Sequence, residues 1–251
     1  MIELQHISKS FRDTQVLHDI STIFDEGKVN LIIGESGSGK TVLLKSIVGL
    51  HEVDRGNVFF HGRDFTLMNE KKRKEIRKEI GMVFQGSALF DSKNLEENVM
   101  FPLQMFAHMT DEEARERANF CLKRVQVVDK NNLYPAEISG GMKKRVAIAR
   151  AIALNPKYLF CDEPNSGLDP KTSIVIDNLI QEIITEYNIT CVINTHDMNS
   201  VMEVGEKIVF INKGHMWWEG GRDDIWHADN KELYDFLFAS DLMKKMRKKM
   251  I

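Results

Sequence analysis

Eight consecutive residues, Gly34-Glu35-Ser36-Gly37-Ser38-Gly39-Lys40-Thr41, follow the spacing GxxxxGK[ST]. Glycines at these positions let backbone N–H groups curl around phosphate oxygens where a Cβ would clash. Lys40 is expected to reach the β- and γ-phosphates of a nucleoside triphosphate, and the Thr41 hydroxyl to bind Mg²⁺. Such a loop needs a second acidic element, and Tyr158-Leu159-Phe160-Cys161-Asp162-Glu163 supplies one at the end of an apolar run. Asp162 is expected to hold Mg²⁺ through water, and Glu163 to orient and deprotonate an attacking water. The chemistry specified by the two segments together is hydrolysis of a phosphoanhydride.

These groups must be positioned by strands and helices, and the hydrophobic pattern predicts both. Val29 to Ile33 is a short apolar run ending at Gly34, as expected of a buried parallel strand. A helix over 40–50 would point its positive N-terminus at the same phosphates. Further strands are predicted at 2–7, 20–24, 58–60, 80–84, 158–161, 190–194 and 207–211, with a hairpin partner at 215–219. Gly56 reads as punctuation before 58–60. Helices are predicted over 70–79, 170–186, 198–203 and from 231 onward. Between Gly86 and Asn155 no strand is expected. Thr110-Asp111-Glu112-Glu113 reads as a capping box opening a helix to about Val127, and a second helix is expected over 139–154. Repeated strand–helix units imply a mainly parallel sheet of α/β type, with a mostly helical insertion.

The composition bounds the function. The chain has 251 residues, 43% hydrophobic and 28% charged, which places it among ordinary globular proteins. A net charge of −3 carries no nucleic-acid signature, and no nucleic-acid partner is expected. The charge is uneven, because residues 242–251 hold five Lys or Arg and no acid. Cys121, Cys161 and Cys191 form no CxxC and are expected to be buried thiols. The eight histidines show no metal-ligand spacing. The N-terminus has no basic start followed by an apolar run, so a secretion signal is not expected. No 18-residue window is apolar enough to predict a membrane span.

Further segments resemble the ATP-binding-cassette (ABC) ATPases, and they occur in that family's order. Ser139-Gly140-Gly141-Met142 is similar to the signature motif, followed by the familial Lys143-Lys144-Arg145-Val146-Ala147-Ile148-Ala149-Arg150-Ala151. Gln85 matches the Q-loop, Ser166-Gly167-Leu168-Asp169 the D-loop, and Thr195-His196-Asp197 the switch histidine. Phe11 matches the aromatic that stacks on adenine. Asn165 stands where the family commonly has threonine or serine. The resemblance implies a P-loop NTPase (RecA-like) core with an antiparallel β-subdomain and an inserted α-helical subdomain. It places the core at 1–85 and 156–240, the helical subdomain at 86–155, and a basic tail at 241–251.

It also implies a head-to-tail homodimer with two ATP molecules at the interface. Each would lie on Gly34, Glu35, Ser36, Gly37, Ser38, Gly39, Lys40 and Thr41 of one copy, capped by Ser139, Gly140, Gly141 and Met142 of the other. Asp169 would order the partner's site, His196 would contact the γ-phosphate, and Gln85 would meet Mg²⁺ beside Thr41 and Asp162. Within the family, the text Phe84-Gln85-Gly86-Ser87-Ala88-Leu89-Phe90-Asp91-Ser92, then Glu97-Asn98-Val99-Met100-Phe101-Pro102-Leu103, and Met142 resemble the MlaF group. That likeness implies phospholipid as cargo, an MlaE-like permease, an MCE-domain protein in the complex, and residence on the cytoplasmic face of a bacterial inner membrane. Alternatives are amino-acid import, lipoprotein export, or a membrane-bound cassette of the cell-division type.

Overall fold

A computed structural model describes residues 1–238, so the basic run at 242–251 lies outside the described residues. In chain order the elements are β1 (Ile2–Phe11), β2 (Thr14–Phe24), β3 (Val29–Ile33), α1 (Lys40–Ile47), β4 (Arg55–Phe60), β5 (Arg63–Asp64), α2 (Glu70–Lys78) and β6 (Ile80–Val83). Then follow α3 (Leu95–Phe106), α4 (Asp111–Arg124), α5 (Gly140–Ile152), β7 (Tyr158–Asp162), α6 (Pro170–Tyr187), β8 (Thr190–Thr195), α7 (Met198–Val204), β9 (Lys207–Asn212), β10 (His215–Gly221) and α8 (Lys231–Leu237). They form two compact units, Met1–Asn69 with the chain from Val192, and Glu70–Cys191. The chain passes from one to the other twice, between Asn69 and Glu70 and within β8.

The first unit holds a four-stranded antiparallel sheet in the order β2-β1-β4-β5. Here β1 and β2 run well beyond the expected 2–7 and 20–24. Most of the extra residues are polar and, apart from the buried Leu17, partly or fully exposed, which hydrophobic patterning does not mark. Three register shifts interrupt the β1–β2 hairpin, between Leu4 and Ile7, Ile7 and Lys9, and Lys9 and Ser10. The first two hold His6 and Asp19, both left-handed, whose side chains meet at 2.7 Å. Gly56 is not punctuation but lies inside β4. A Cβ there would sit 2.3 Å from the Gln5 carbonyl oxygen, so the close approach of β1 demands glycine. In the same unit β3 pairs parallel with β9, which pairs antiparallel with β10. The expectation of a mainly parallel sheet therefore describes only part of the architecture. Every residue of β3 is buried, which is why its pattern is a continuous apolar run.

The second unit pairs β6 with β7 in parallel, Ile80 opposite Tyr158. Its helices α3, α4 and α5 pack on one another. No strand occurs among residues 86–155. The capping box of α4 is present, with Thr110 Oγ1 accepting from the Glu113 N–H and the Glu113 carboxylate accepting from the Thr110 N–H. Helix α3 was not anticipated, although Asn94 and Glu97 form a second capping box. Pro102 lies inside it.

Candidate active site

In the first unit, β3 delivers the glycine-rich loop. Gly34 has φ 150°, and a Cβ on it would lie 2.1 Å from the Ile211 carbonyl oxygen, so strand β9 presses on the start of the loop. The loop is pinned at its far side as well. The Ser38 carbonyl accepts from the Gly214 N–H at 2.9 Å, and the Gly214 carbonyl accepts from the His18 N–H at 2.9 Å. Gly39, left-handed, is the N-cap of α1, whose first turn contains no acid. Lys40 is buried, and its ammonium donates to the carbonyls of Gly34 and Glu35, each at 2.8 Å. The Ser38 hydroxyl is buried with no hydrogen-bond partner among the described residues. Backbone N–H groups at a helix start, an adjacent ammonium and an orphaned hydroxyl form a donor set that fits phosphate oxygens.

Phe11 closes β1 as an exposed ring, able to present a face to a nucleobase. His51 makes a T-shaped contact with this ring, centroids 5.1 Å apart, and Lys9 Nζ lies 5.4 Å from its centre. Lys9 is tied to Asp54 at 2.8 Å, and Asp54 also accepts from the Ser10 N–H at 2.5 Å. The Lys9 hydrogen bond holds the Asp54 carboxyl below its usual pKa. Burial, with Lys45 and Lys9 nearby, pushes His51 below the usual imidazole value. His196 is exposed just beyond β8. The next residue, Asp197, caps α7 by accepting from the Asn199 N–H at 2.9 Å.

In the second unit, Asp162 ends β7 and is buried, while Glu163 turns left-handed at φ 46°. Gln85 Nε2 donates to Glu163 Oε2 at 2.8 Å and to Ser166 Oγ at 3.3 Å. The structure thus joins three of the residues singled out in sequence. Asn165, the familial departure, donates to Asp177 at 2.8 Å in a buried pair that ties this turn to α6. Asp169 is the N-cap of α6, accepting from the Thr172 N–H at 3.0 Å and its hydroxyl at 2.5 Å. Those bonds lower its pKa. The spacing Asp169-Pro170-Lys171-Thr172 is itself a helix-start signal, so this capping role was available from sequence. Ser139 caps α5, accepting from the Met142 N–H at 3.3 Å, and Gly140 and Gly141 form an acid-free first turn. The result is an exposed anion-favouring helix end.

Sequence reasoning missed Lys144. It is buried on α5, and its ammonium donates to the carbonyl of Gln85 and, at 3.3 Å, to that of Glu163. Burial lowers its pKa against the opposing pull of Cys161, Glu163 and Asp162. On the same helix, Arg150 donates to the carbonyls of Ser87 and Ala88 at 2.7 Å each. An apolar groove, with Phe84, Phe90, Phe101, Pro102 and Phe106 in its wall, adjoins this loop.

A family model described as ABC transporter matches residues 17–166. The methionine import ATP-binding protein MetN of Campylobacter jejuni is 36% identical over 259 residues, spanning 97% of this chain and 77% of that protein. MetN of Clostridium acetobutylicum is 39% identical over 241 residues, spanning 96% and 75%. Among solved structures, the ATP-binding cassette MJ0796 in a dimeric post-hydrolysis state, bound to ADP and Pi, aligns with a TM-score of 0.82 at 32% identity, covering 88% of this chain and 99% of that one. The loop geometry, the paired Gln85 and Glu163, and these likenesses agree, and the chain belongs to the ABC transporter family as an ATP-binding, ATP-hydrolysing subunit.

Proposed function

We propose that this ATPase drives an integral-membrane permease and that the residues act as follows. Phe11 stacks on adenine, and Gly34 to Thr41 hold the phosphates. Thr41, Gln85 and Asp162 would hold Mg²⁺, which would supply charge neutralisation at the phosphate oxygens. Glu163 takes a proton from the attacking water while Gln85 fixes its carboxylate. His196 contacts the γ-phosphate. Ser139, Gly140 and Gly141 of a second copy cap that phosphate with the positive end of α5, and Asp169 couples the two copies. The observation that carries this reading is the Gln85–Glu163 hydrogen bond beside the buried Asp162. The apolar groove beside Gln85 is proposed to receive a short apolar-faced helix of the permease.

For the cargo, the MetN relatives favour import of methionine or a similar amino acid. That moves the balance away from the phospholipid reading, which none of these relatives' names supports. Lipid transport keeps one observation in its favour: the MlaF-like text 84–103 supplies most of the groove's aromatic wall. Two measurements separate these readings. The tagged protein is purified from its native membranes in mild detergent, and proteins and lipids are identified by mass spectrometry. Uptake of labelled methionine is compared between wild-type and deletion cells. Lost uptake and an amino-acid permease support import. Unchanged uptake with a co-purifying MCE-domain protein and phospholipid overturns import in favour of lipid transport. Absence of any membrane partner overturns both.

A further inference from the structure

We propose that Lys144 is a positioning residue for ATP hydrolysis, holding Gln85 and Glu163 in register through their main-chain carbonyls. The inference rests on the roles proposed above for those two side chains. Three observations carry it. The Lys144 ammonium bonds both carbonyls at once, and the two side chains meet each other at 2.8 Å. Glu163 is a non-glycine residue at φ 46°, and a left-handed backbone of this kind persists only where its surroundings hold it. Lys144 is 4% exposed, and a buried amine is tolerated only with acceptors in place, so the contact is not an incidental surface reach.

The placement of Lys144 gives this bond a direction. It lies about one turn beyond the Ser139 cap on the continuous helix α5. Arg150, less than two turns further, secures Ser87 and Ala88, which are also left-handed. Helix α5 is therefore a splint along the Gln85–Ala88 loop, and Lys144 is the point at which the splint also grips Glu163. A displacement at the exposed end of α5 would reach both side chains through one ammonium.

The test uses the full chain with Lys144→Met and Lys144→Gln, measuring kcat, KM, equilibrium ATP affinity and thermal melting. Methionine keeps most of the apolar length of the side chain and removes the N–H donors, whereas the glutamine amide can still serve one carbonyl. Neither substitution alters the glycine-rich loop or Phe11, which are proposed to hold the nucleotide itself, so ATP affinity should stay within about twofold of wild type. Loss of positioning should lower kcat about tenfold in the methionine variant and about threefold in the glutamine variant. Wild-type kcat in the methionine variant overturns the proposal. So does a parallel fall in kcat, affinity and melting in both variants, which marks a merely structural lysine. Should the methionine variant not fold, the glutamine variant decides alone: lowered kcat at constant affinity supports positioning, and unchanged kcat overturns it. Glu163→Gln is assayed beside them. Undiminished turnover in that variant overturns the base assignment itself. Lost turnover there with a wild-type methionine variant overturns only the role of Lys144.

Discussion

Lys40 is the residue on which nucleotide binding depends most directly. Its buried ammonium already lies against the loop, on the Gly34 and Glu35 carbonyls. Lys40→Ala should abolish binding of a fluorescent ATP analogue, and near-native affinity in that titration would contradict the phosphate-loop assignment. Glu163→Gln should leave that binding intact while phosphate release falls by about 10²–10⁴-fold, as for removal of a positioned base. These residues were legible because phosphate geometry fixes their types and spacing. Lys144 was not, because Lys143-Lys144-Arg145 stood out only as familial text after the signature motif, with no role attached to its charges. Its signal lay in the phase of the helix: Lys144 falls in line with the buried Ile148 and Ala151 at helical spacing. Asp169 shows the complementary case, where a familial assignment hid an ordinary capping role.

At the scale of elements, α3 shows why part of the fold was hidden. Pro102 interrupts the pattern that usually marks a helix, and its start depends on a polar anchor rather than an apolar stripe. That anchor includes Asn98, fully buried, which accepts from the Phe90 N–H at 2.8 Å and donates to the carbonyls of Phe90, Lys93 and Asn94. Asn98→Ala would leave several of these groups unpaired, and chemical denaturation should show a loss of at least ~2 kcal/mol. The β1–β4 region gives a pH prediction. The Asp54 carboxyl, bonded to Lys9 and the Ser10 N–H, has a folded pKa below its unfolded value. Its stabilising contribution is therefore complete above the unfolded pKa and is lost as pH falls through the lower folded value. Asp54→Asn should be less stable than wild type at pH 7, and the difference should shrink on acidification below about pH 4. Equal separation of the two unfolding curves at both pH values would contradict this. The buried strands β3, β7 and β8 were legible as apolar runs, whereas the polar half of the β1–β2 hairpin was not.

At the scale of the whole molecule, the proposed head-to-tail pairing predicts that ATP controls association. Glu163→Gln should elute as a dimer in size-exclusion chromatography with ATP and Mg²⁺ and as a monomer without them, and Lys40→Ala should remain monomeric in both. A dimer indifferent to nucleotide would remove ATP from the interface. The cargo was the least legible property, since phosphate-loop chemistry is common to cassettes of every cargo and a permease selects what is carried. Among the described residues, no helix is long and apolar enough to cross a membrane. The three cysteines have a practical consequence for following such association. All are buried, burial pushes the Cys121 pKa up to about 11, and burial together with Cys161 pushes Cys191 up as well. The native fold is therefore a silent background for thiol chemistry. Ellman's reagent should find almost no reactive thiol until denaturant exposes all three, and Leu67→Cys, at a position 79% exposed, should add one that reacts at once. A spin label or fluorophore can then be attached at a chosen surface position without removing a native cysteine, and two labelled copies would report their separation through the ATP cycle.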